Sequence, residues 1–182
     1  TLLLEALLIF MPLVRRVRRY ADHLETLVRT DGLTNIDNRR SILEKGAKEI
    51  MRAKRNEKPL SIALLDIDHF KAVNDTHGHE VGDSVLKSVV SVIKENIRVE
   101  DEVGRYGGEE FIFLLPETSV TTSQAVLERI RDAIEKREFT TESGSTIKTT
   151  VSIGISEVNK EDESSLDPAI HRADVSLYRA KD

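Results

Sequence analysis

The sequence contains no cysteine among its 182 residues. This absence excludes disulfide bonds, thiolate metal sites and cysteine nucleophiles, and it is compatible with a reducing compartment. Any bound metal ion would therefore need oxygen ligands or histidine. With 39% hydrophobic residues, the chain is long enough for one domain with a hydrophobic core, and little remains for a second.

The chain also lacks an excess of positive charge. Lys and Arg total 27 against 32 Asp and Glu, which gives a formal net charge of -5 at pH 7. Proteins that bind nucleic acid polymers usually carry a basic surplus. We therefore expect no nucleic acid polymer as a partner, and any phosphate group must be held by local contacts.

The apolar run at the N-terminus is too short to cross a bilayer. Residues 2–14 are apolar except for Glu5 and Pro12, whereas a spanning helix needs about 20 residues. An arginine cluster follows, and an apolar run ending in arginines is typical of a helix that emerges on the cytoplasmic side. Since the chain begins at Thr1, it is consistent with a piece of a longer protein. Two interpretations stay open: the end of a transmembrane helix of an inner-membrane protein, or an amphipathic helix buried against a partner chain.

Residues 1–30 are interpreted as a helical stalk, and residues 31–182 as the folded domain. Apolar residues of the stalk recur at helical spacing, which favours a dimerising helix. They are Val14, Val17, Leu24, Leu27 and Val28.

Hydrophobic patterns predict an α+β domain, with helices packed on a mostly antiparallel sheet. The apolar run Leu60–Ile67 predicts a buried central strand, and the alternation from Thr149 to Ile155 predicts a strand with one buried face. Two further strands flank Gly107 and Gly108 and predict a hairpin, because glycine accepts the positive φ that a tight turn requires. Helices are predicted from about Asn38, Glu80, Thr122 and Asp167. A polar turn is expected through Asn74-Asp75 and His77-Gly78-His79.

Four carboxylates are predicted at exposed ends of strands. Asp66 and Asp68 lie at the end of one strand, and Glu109 and Glu110 lie in the hairpin turn. If these strands are neighbours, the carboxylates converge and require a cation, and hard oxygen ligands favour Mg²⁺. Such a site suits phosphoryl or nucleotidyl transfer. The alternative is that these acidic turns are only solvated.

Several motifs follow one another between residues 31 and 182. They are Asp31-Gly32-Leu33-Thr34 with Asn38-Arg39-Arg40, residues 66–75 (DIDHFKAVND), residues 105–111 (RYGGEEF), residues 151–155 (VSIGI) and residues 173–181 (ADVSLYRAK). In sequence and order they resemble the GGDEF family of diguanylate cyclases, with the signature in its GGEEF form. The resemblance implies a nucleotidyl-cyclase-like fold and the condensation of two GTP molecules into cyclic di-GMP with release of pyrophosphate.

The resemblance also implies the catalytic residues, which would be Asp66, Glu109 and Glu110. Asp66, Glu109 and the Ile67 carbonyl would bind Mg²⁺ or Mn²⁺. Glu110 would assist the metal or activate the attacking hydroxyl.

The substrate would be held by a further set of residues that the resemblance identifies. Asn74 and Asp83 would bind the guanine edge. The backbone at Gly107 and Gly108 would approach the phosphates, and the amides near Phe70 and Lys71 and the ammonium of Lys181 would hold the triphosphate. Each residue also has an ordinary interpretation: Asn74 as a turn former, Asp83 as a charge at a helix start, and Lys181 as a solvated helix end.

The segment Arg98-Val99-Glu100-Asp101 has the RxxD form and resembles the family's inhibitory product site. Arg129 on the following helix is a further candidate for this site. Since one site would hold one GTP, the resemblance implies an active homodimer. The rival functions are a non-catalytic module that binds GTP or cyclic di-GMP, and a polymerase-like or purine cyclase enzyme. We expect the domain to be cytoplasmic.

Overall fold

The computed structural model describes residues 29–140, 146–159, 161–162 and 165–181, together with the isolated positions 11 and 14. The predicted stalk and membrane helix therefore lie almost wholly outside the described residues. Within the described part of the chain, no helix combines the length and the apolar character needed to cross a membrane.

Seven strands are present in the described residues. They are β1 (Asp37–Asn38), β2 (Leu60–Ile67), β3 (Glu102–Arg105), β4 (Glu110–Pro116), β5 (Phe139–Thr140), β6 (Thr146–Ile147) and β7 (Val151–Glu157). Five of them form a central sheet in the order β1-β3-β4-β2-β7, and β5 pairs with β6 separately. The β1–β3 pair is parallel and the other pairs of the sheet are antiparallel. The predicted α+β class with a mostly antiparallel sheet is confirmed.

Five helices connect and cover the strands of the described part. They are α1 (Arg39–Asn56), α2 (Phe70–His77), α3 (His79–Asn96), α4 (Val120–Lys136) and α5 (Asp167–Lys181). Asn38 begins α1 by accepting a hydrogen bond from the Ser41 amide at 2.9 Å, as expected of an N-cap residue. The interpretation of Asn74, Asp75 and His77 as part of a polar turn is wrong, because these residues lie in α2. Phe70 is its single buried residue, so α2 has no apolar stripe that could reveal it.

The sheet separates two hydrophobic clusters. Side chains from α3 and α4 pack on one face, against residues such as Leu65 and Ile67 of β2. Side chains from α1 and α5 pack on the other face, against Ile62 and Leu64. Because helices cover both faces, all eight residues of β2 are buried, which explains its continuous apolar sequence.

Strand alternation fixes the face on which the end of β2 presents its polar side chain. Asp66 follows Leu64 at a spacing of two, so it projects toward the side of α1 and α5. A Cβ at Gly154 would lie 2.7 Å from the Cα of Leu177. Helix α5 therefore lies directly on β7, and its C-terminal Lys181 reaches the same end of the sheet as Asp66.

Candidate active site

The end of β2 and the start of β4 lie side by side. Asp66 pairs with Glu110 in antiparallel register, and the Ile67 amide donates to the Glu109 carbonyl at 3.4 Å. Directly opposed residues of an antiparallel pair project from the same face. The structure thus brings Asp66, Glu109 and Glu110 together at one end of the sheet.

The electrostatic environment of Glu110 reflects this crowding of carboxylates. Burial raises the pKa of the Glu110 carboxyl, the negative charge of Asp66 raises it further, and Glu109 and Asp174 act in the same direction. Lys181 opposes them and lowers it. A carboxylate with a raised pKa is a stronger base once it is ionised.

Lys181 forms an ion pair with Asp66. Its Nζ lies 2.9 Å from Asp66 Oδ1, and the side chains are 41% and 12% exposed respectively. The family resemblance implied that Lys181 contacts a triphosphate. In the structure its partner is Asp66, which the resemblance implied as a metal ligand.

Asp68 is held at β7 instead of joining this cluster. Its carboxylate accepts hydrogen bonds from Thr150 Oγ1 at 2.6 Å and Ser152 Oγ at 2.7 Å. The strand-end pattern alone treated Asp66 and Asp68 alike, whereas the family resemblance named only Asp66, and the structure holds Asp68 at β7.

The predicted hairpin is present, since β3 and β4 pair with Arg105 opposite Phe111. The predicted reason for glycine in this turn, a positive φ, is wrong. Neither Gly107 nor Gly108 has φ in the left-handed region, which Gly78 adopts at φ 86°. A Cβ at Gly107 would instead overlap the Glu110 carboxylate. Glycine at position 107 thus leaves space for the Glu110 carboxylate, which a side chain there would displace.

Two contacts that the sequence did not predict join the hairpin to Asp31 and Arg39. The Arg105 guanidinium donates to the Gly108 carbonyl at 2.7 and 3.1 Å and to the Asp31 carboxylate at 3.1 and 3.2 Å. The Arg39 guanidinium lies over the Tyr106 ring, 4.5 Å from its centroid. The one signal for these contacts in the sequence was the presence of charged residues in the two motifs that they join.

The candidate guanine-binding residues lie where α2 meets α3. A Cβ at Gly82 would lie 3.0 Å from Asn74 Cγ, so the Asn74 amide group packs against the residue that precedes Asp83. Asp83 is exposed. The Asn74 side chain therefore lies next to the turn of α3 that carries Asp83.

The N-terminus of α2 is the place suggested for the triphosphate. The helix begins at Phe70 after His69, which has φ 55° and gives no side-chain cap. The first amides of a helix have no partner within it. The Phe70 side chain is 6% exposed and anchors this turn in the core, while Lys71 is exposed.

The RxxD residues lie at the C-terminal end of α3. The Asp101 carboxylate is buried and accepts a hydrogen bond from the Arg98 amide at 2.9 Å, and burial raises its pKa. The Arg129 guanidinium donates to the Asn96 carbonyl at 2.6 Å, so Arg129 lies close to the same turn. Sequence reasoning missed that Asp101 stabilises its own turn.

The donor set at the end of β2 fits a hard divalent cation. Within the described residues, no group of three or more His, Asp or Glu side chains is arranged to hold a metal ion alone. Mg²⁺ commonly uses only one or two carboxylates, with water and phosphate as the other ligands. Asp66, Glu109 and the Ile67 carbonyl are oxygen donors of that kind, so they fit Mg²⁺ or Mn²⁺ bound together with a triphosphate.

Residues 28–182 match the family described as diguanylate cyclase, GGDEF domain. Diguanylate cyclase DgcP of Pseudomonas aeruginosa is 42% identical over 154 residues, which cover 84% of this chain and 22% of that protein. Response regulator PleD of Caulobacter vibrioides is 37% identical over 166 residues, which cover 91% of this chain and 36% of that protein. The chain thus spans well under half the length of these curated relatives.

Solved structures show the same fold. The GGDEF domain of DgcB from Caulobacter crescentus, solved in complex with c-di-GMP, superposes with a TM-score of 0.80 at 36% identity. The match covers 85% of this chain and 90% of that chain.

Proposed function

This chain belongs to the GGDEF domain family, and we propose that it is a diguanylate cyclase that condenses two GTP molecules into cyclic di-GMP with release of pyrophosphate. The observation that carries the proposal is the register of β2 and β4. It pairs Asp66 with Glu110 and places Glu109 against Ile67, directly beside the glycine hairpin.

In the proposed reaction, the 3′-hydroxyl of each GTP attacks the α-phosphate of the other. Asp66, Glu109 and the Ile67 carbonyl would hold Mg²⁺ or Mn²⁺, which supplies charge neutralisation at the phosphates when bound. Glu110 would accept the proton of the attacking hydroxyl, a role that suits a carboxylate with a raised pKa.

The proposed substrate contacts separate the base from the phosphates. Asp83 would accept hydrogen bonds from the guanine ring N–H and amino group, a donor pair that adenine does not present, and Asn74 would bind the same edge. The Phe70 and Lys71 amides would hold phosphate oxygens at the N-terminus of α2, where the helix dipole favours an anion. Lys181 would add a positive charge.

We further propose that the active unit is a homodimer. Each domain would bind one GTP, so two domains must face each other for the two attacks to occur. The stalk before Asp31 is the segment suited to control this pairing, and it would connect the cytoplasmic domain to a membrane helix of a longer inner-membrane protein. Recovery of the full-length protein in the soluble fraction after cell lysis would contradict the anchoring.

Product inhibition is the regulatory part of the proposal. Arg98 and Arg129 lie at one turn, and an arginine can bind phosphate or guanine through two parallel hydrogen bonds. Asp101 would hold the turn that carries Arg98 through its hydrogen bond with the Arg98 amide, and its carboxylate would accept from guanine. Arg98→Ala should leave the initial rate unchanged and relieve inhibition by added cyclic di-GMP, and inhibition that persists in this variant would disprove the assignment.

The test of the enzymatic proposal is a product assay with GTP and Mg²⁺. We expect pyrophosphate release and the mass of cyclic di-GMP, with a rate per chain that rises with protein concentration. Asp66→Asn and Glu110→Gln should each lower the rate by about 100-fold or more, as expected when charge stabilisation or proton transfer is lost. The control is Glu95→Gln, which changes an exposed glutamate of α3.

The outcomes of this assay also separate the rival functions. Binding of GTP without turnover would indicate a non-catalytic module. A product of another mass would indicate a different nucleotidyl transferase.

A further inference from the structure

Asp66 and Lys181 form an ion pair whose two side chains differ in burial. The Asp66 carboxylate is mostly buried and fixed at the end of a central strand, whereas the Lys181 side chain is 41% exposed at the end of α5. Their atoms Oδ1 and Nζ are 2.9 Å apart. The lysine therefore holds the carboxylate that the proposed function assigns to the metal ion.

An ammonium and a divalent cation compete for one carboxylate. Both are positive, and two like charges a few ångströms apart at a partly buried site repel each other strongly. The lysine end of the pair is exposed to water, and the lysine chain has four flexible carbons. Lys181 is thus the partner that can move away, and Asp66 is the partner that stays.

We propose that Lys181 couples divalent-cation binding to nucleotide binding. The ammonium neutralises Asp66 until a triphosphate draws it away, and the released carboxylate then binds the cation. The inference rests on the proposed function, because it takes Asp66 as the metal ligand and a nucleoside triphosphate as the substrate.

The charges around the pair favour this coupling. Lys181 pairs with Asp66, which lies opposite Glu110 in the strand register, so its positive charge offsets the negative charge of the carboxylate cluster. A negatively charged triphosphate gives the ammonium an alternative partner. Because coupling is reciprocal, a bound cation should strengthen nucleotide binding as much as nucleotide strengthens cation binding.

The test begins with Mn²⁺ binding in the absence of nucleotide, measured by the electron paramagnetic resonance signal of free Mn²⁺. Lys181→Ala is expected to bind Mn²⁺ about five- to tenfold more tightly than the wild type, the range of a weak ion pair and a modest coupling energy. Lys181→Gln should behave in the same way. Lys181→Arg should match the wild type, because it keeps the ion pair.

The matched control is Lys87→Ala, which removes the same charge from an exposed position of α3. It should bind Mn²⁺ like the wild type, which separates the local ion pair from the net charge. Circular dichroism melting of each variant verifies that the fold is intact.

A second measurement tests the coupling itself. The affinity for a non-hydrolysable GTP analogue is measured with saturating Mn²⁺ and with EDTA. The ratio of the two affinities should fall in Lys181→Ala by about the factor found for Mn²⁺ alone, as a thermodynamic cycle requires.

The outcomes distinguish this inference from the proposed function. If Asp66→Asn binds Mn²⁺ like the wild type, the proposed metal site is wrong. If Asp66→Asn loses Mn²⁺ while Lys181→Ala and Lys181→Gln bind it no better than the wild type, the metal site stands and the coupling is overturned. An unchanged affinity ratio in the second measurement also overturns the coupling.

Discussion

Gly82 leaves no room for a side chain where α2 meets α3. A Cβ there would lie 3.0 Å from Asn74 Cγ and 3.2 Å from Phe70 Cζ, and it would overlap the Asn74 amide oxygen. The obstructed group is the far end of a flexible side chain, which can rotate away at little cost in stability. The consequence of a methyl group at position 82 is therefore a displaced Asn74.

Gly82→Ala should raise the KM for GTP with little change in melting temperature. Loss of one hydrogen bond to the base would raise KM by about three- to tenfold. Steady-state kinetics and thermal melting measure the two effects. The control is Gly32→Ala, because no atom lies within 4 Å of a Cβ at Gly32. An unchanged KM in Gly82→Ala would remove Asn74 from the proposed guanine site.

At the scale of elements, the segment before α1 is joined to the glycine hairpin. Strand β1 pairs with β3, with Asn38 opposite Arg105. Partial burial opposes ionisation of Asp31, but hydrogen bonds from Thr34 and the Arg105 guanidinium outweigh it and lower the pKa of Asp31. The ionised carboxylate thus holds the arginine that also binds the Gly108 carbonyl.

Asp31→Asn should loosen the hairpin without unfolding the domain. The neutral amide keeps a hydrogen-bond acceptor for Thr34 but weakens the hold on Arg105, so amide hydrogen exchange of residues 106–109 should rise about fivefold or more. Hydrogen-exchange mass spectrometry measures this change. Glu44→Gln is the control, since Glu44 forms an exposed ion pair with Arg40. Equal exchange in Asp31→Asn and the wild type would contradict the coupling of these two elements.

An ion pair connects the turn after β7 to α5. Arg172 donates to both oxygens of Asp162, at 2.5 and 3.0 Å, and to the Glu157 carbonyl at 2.8 Å. The Asp162 side chain is 5% exposed, and its hydrogen bonds with Arg172 lower its pKa below the ordinary value of 3.8.

Asp162→Asn should destabilise the protein in a pH-dependent way. A carboxyl whose pKa is lowered by folding stabilises the fold fully above its unfolded pKa, and this contribution is lost as the pH falls through the folded pKa. At pH 6 we expect the variant to melt lower by on the order of 5 °C. The difference should shrink as the pH falls below 3.8 and through the lowered pKa of the folded state. Melting curves at several pH values measure it, and a difference that is constant with pH would contradict the role of this pair.

For the whole molecule, patterns over long segments predicted the architecture. The apolar run Leu60–Ile67 is β2 with unchanged bounds, and α5 begins at the predicted Asp167. Helix α2 was missed because only Phe70 is buried. Short polar helices depend on tertiary contacts that periodicity does not record.

The site was predictable only in part, since motifs identify residues but not their contacts. The apolar pattern alone could not separate Asp66 from Asp68, and the physical difference is that Thr150 and Ser152 donate hydrogen bonds to Asp68. The contact of Lys181 with Asp66 requires α5 to lie on β7 at Gly154, which no local pattern shows.

The most direct test of the account is a crystal structure of the protein with Mg²⁺ and a non-hydrolysable GTP analogue. We predict a Mg²⁺ ion about 2 Å from oxygens of Asp66 and Glu109 and of the nucleotide phosphates, the distance typical of this ion. The guanine should contact Asn74 and Asp83. A nucleotide bound elsewhere, or an ion without Asp66 among its ligands, would contradict the account.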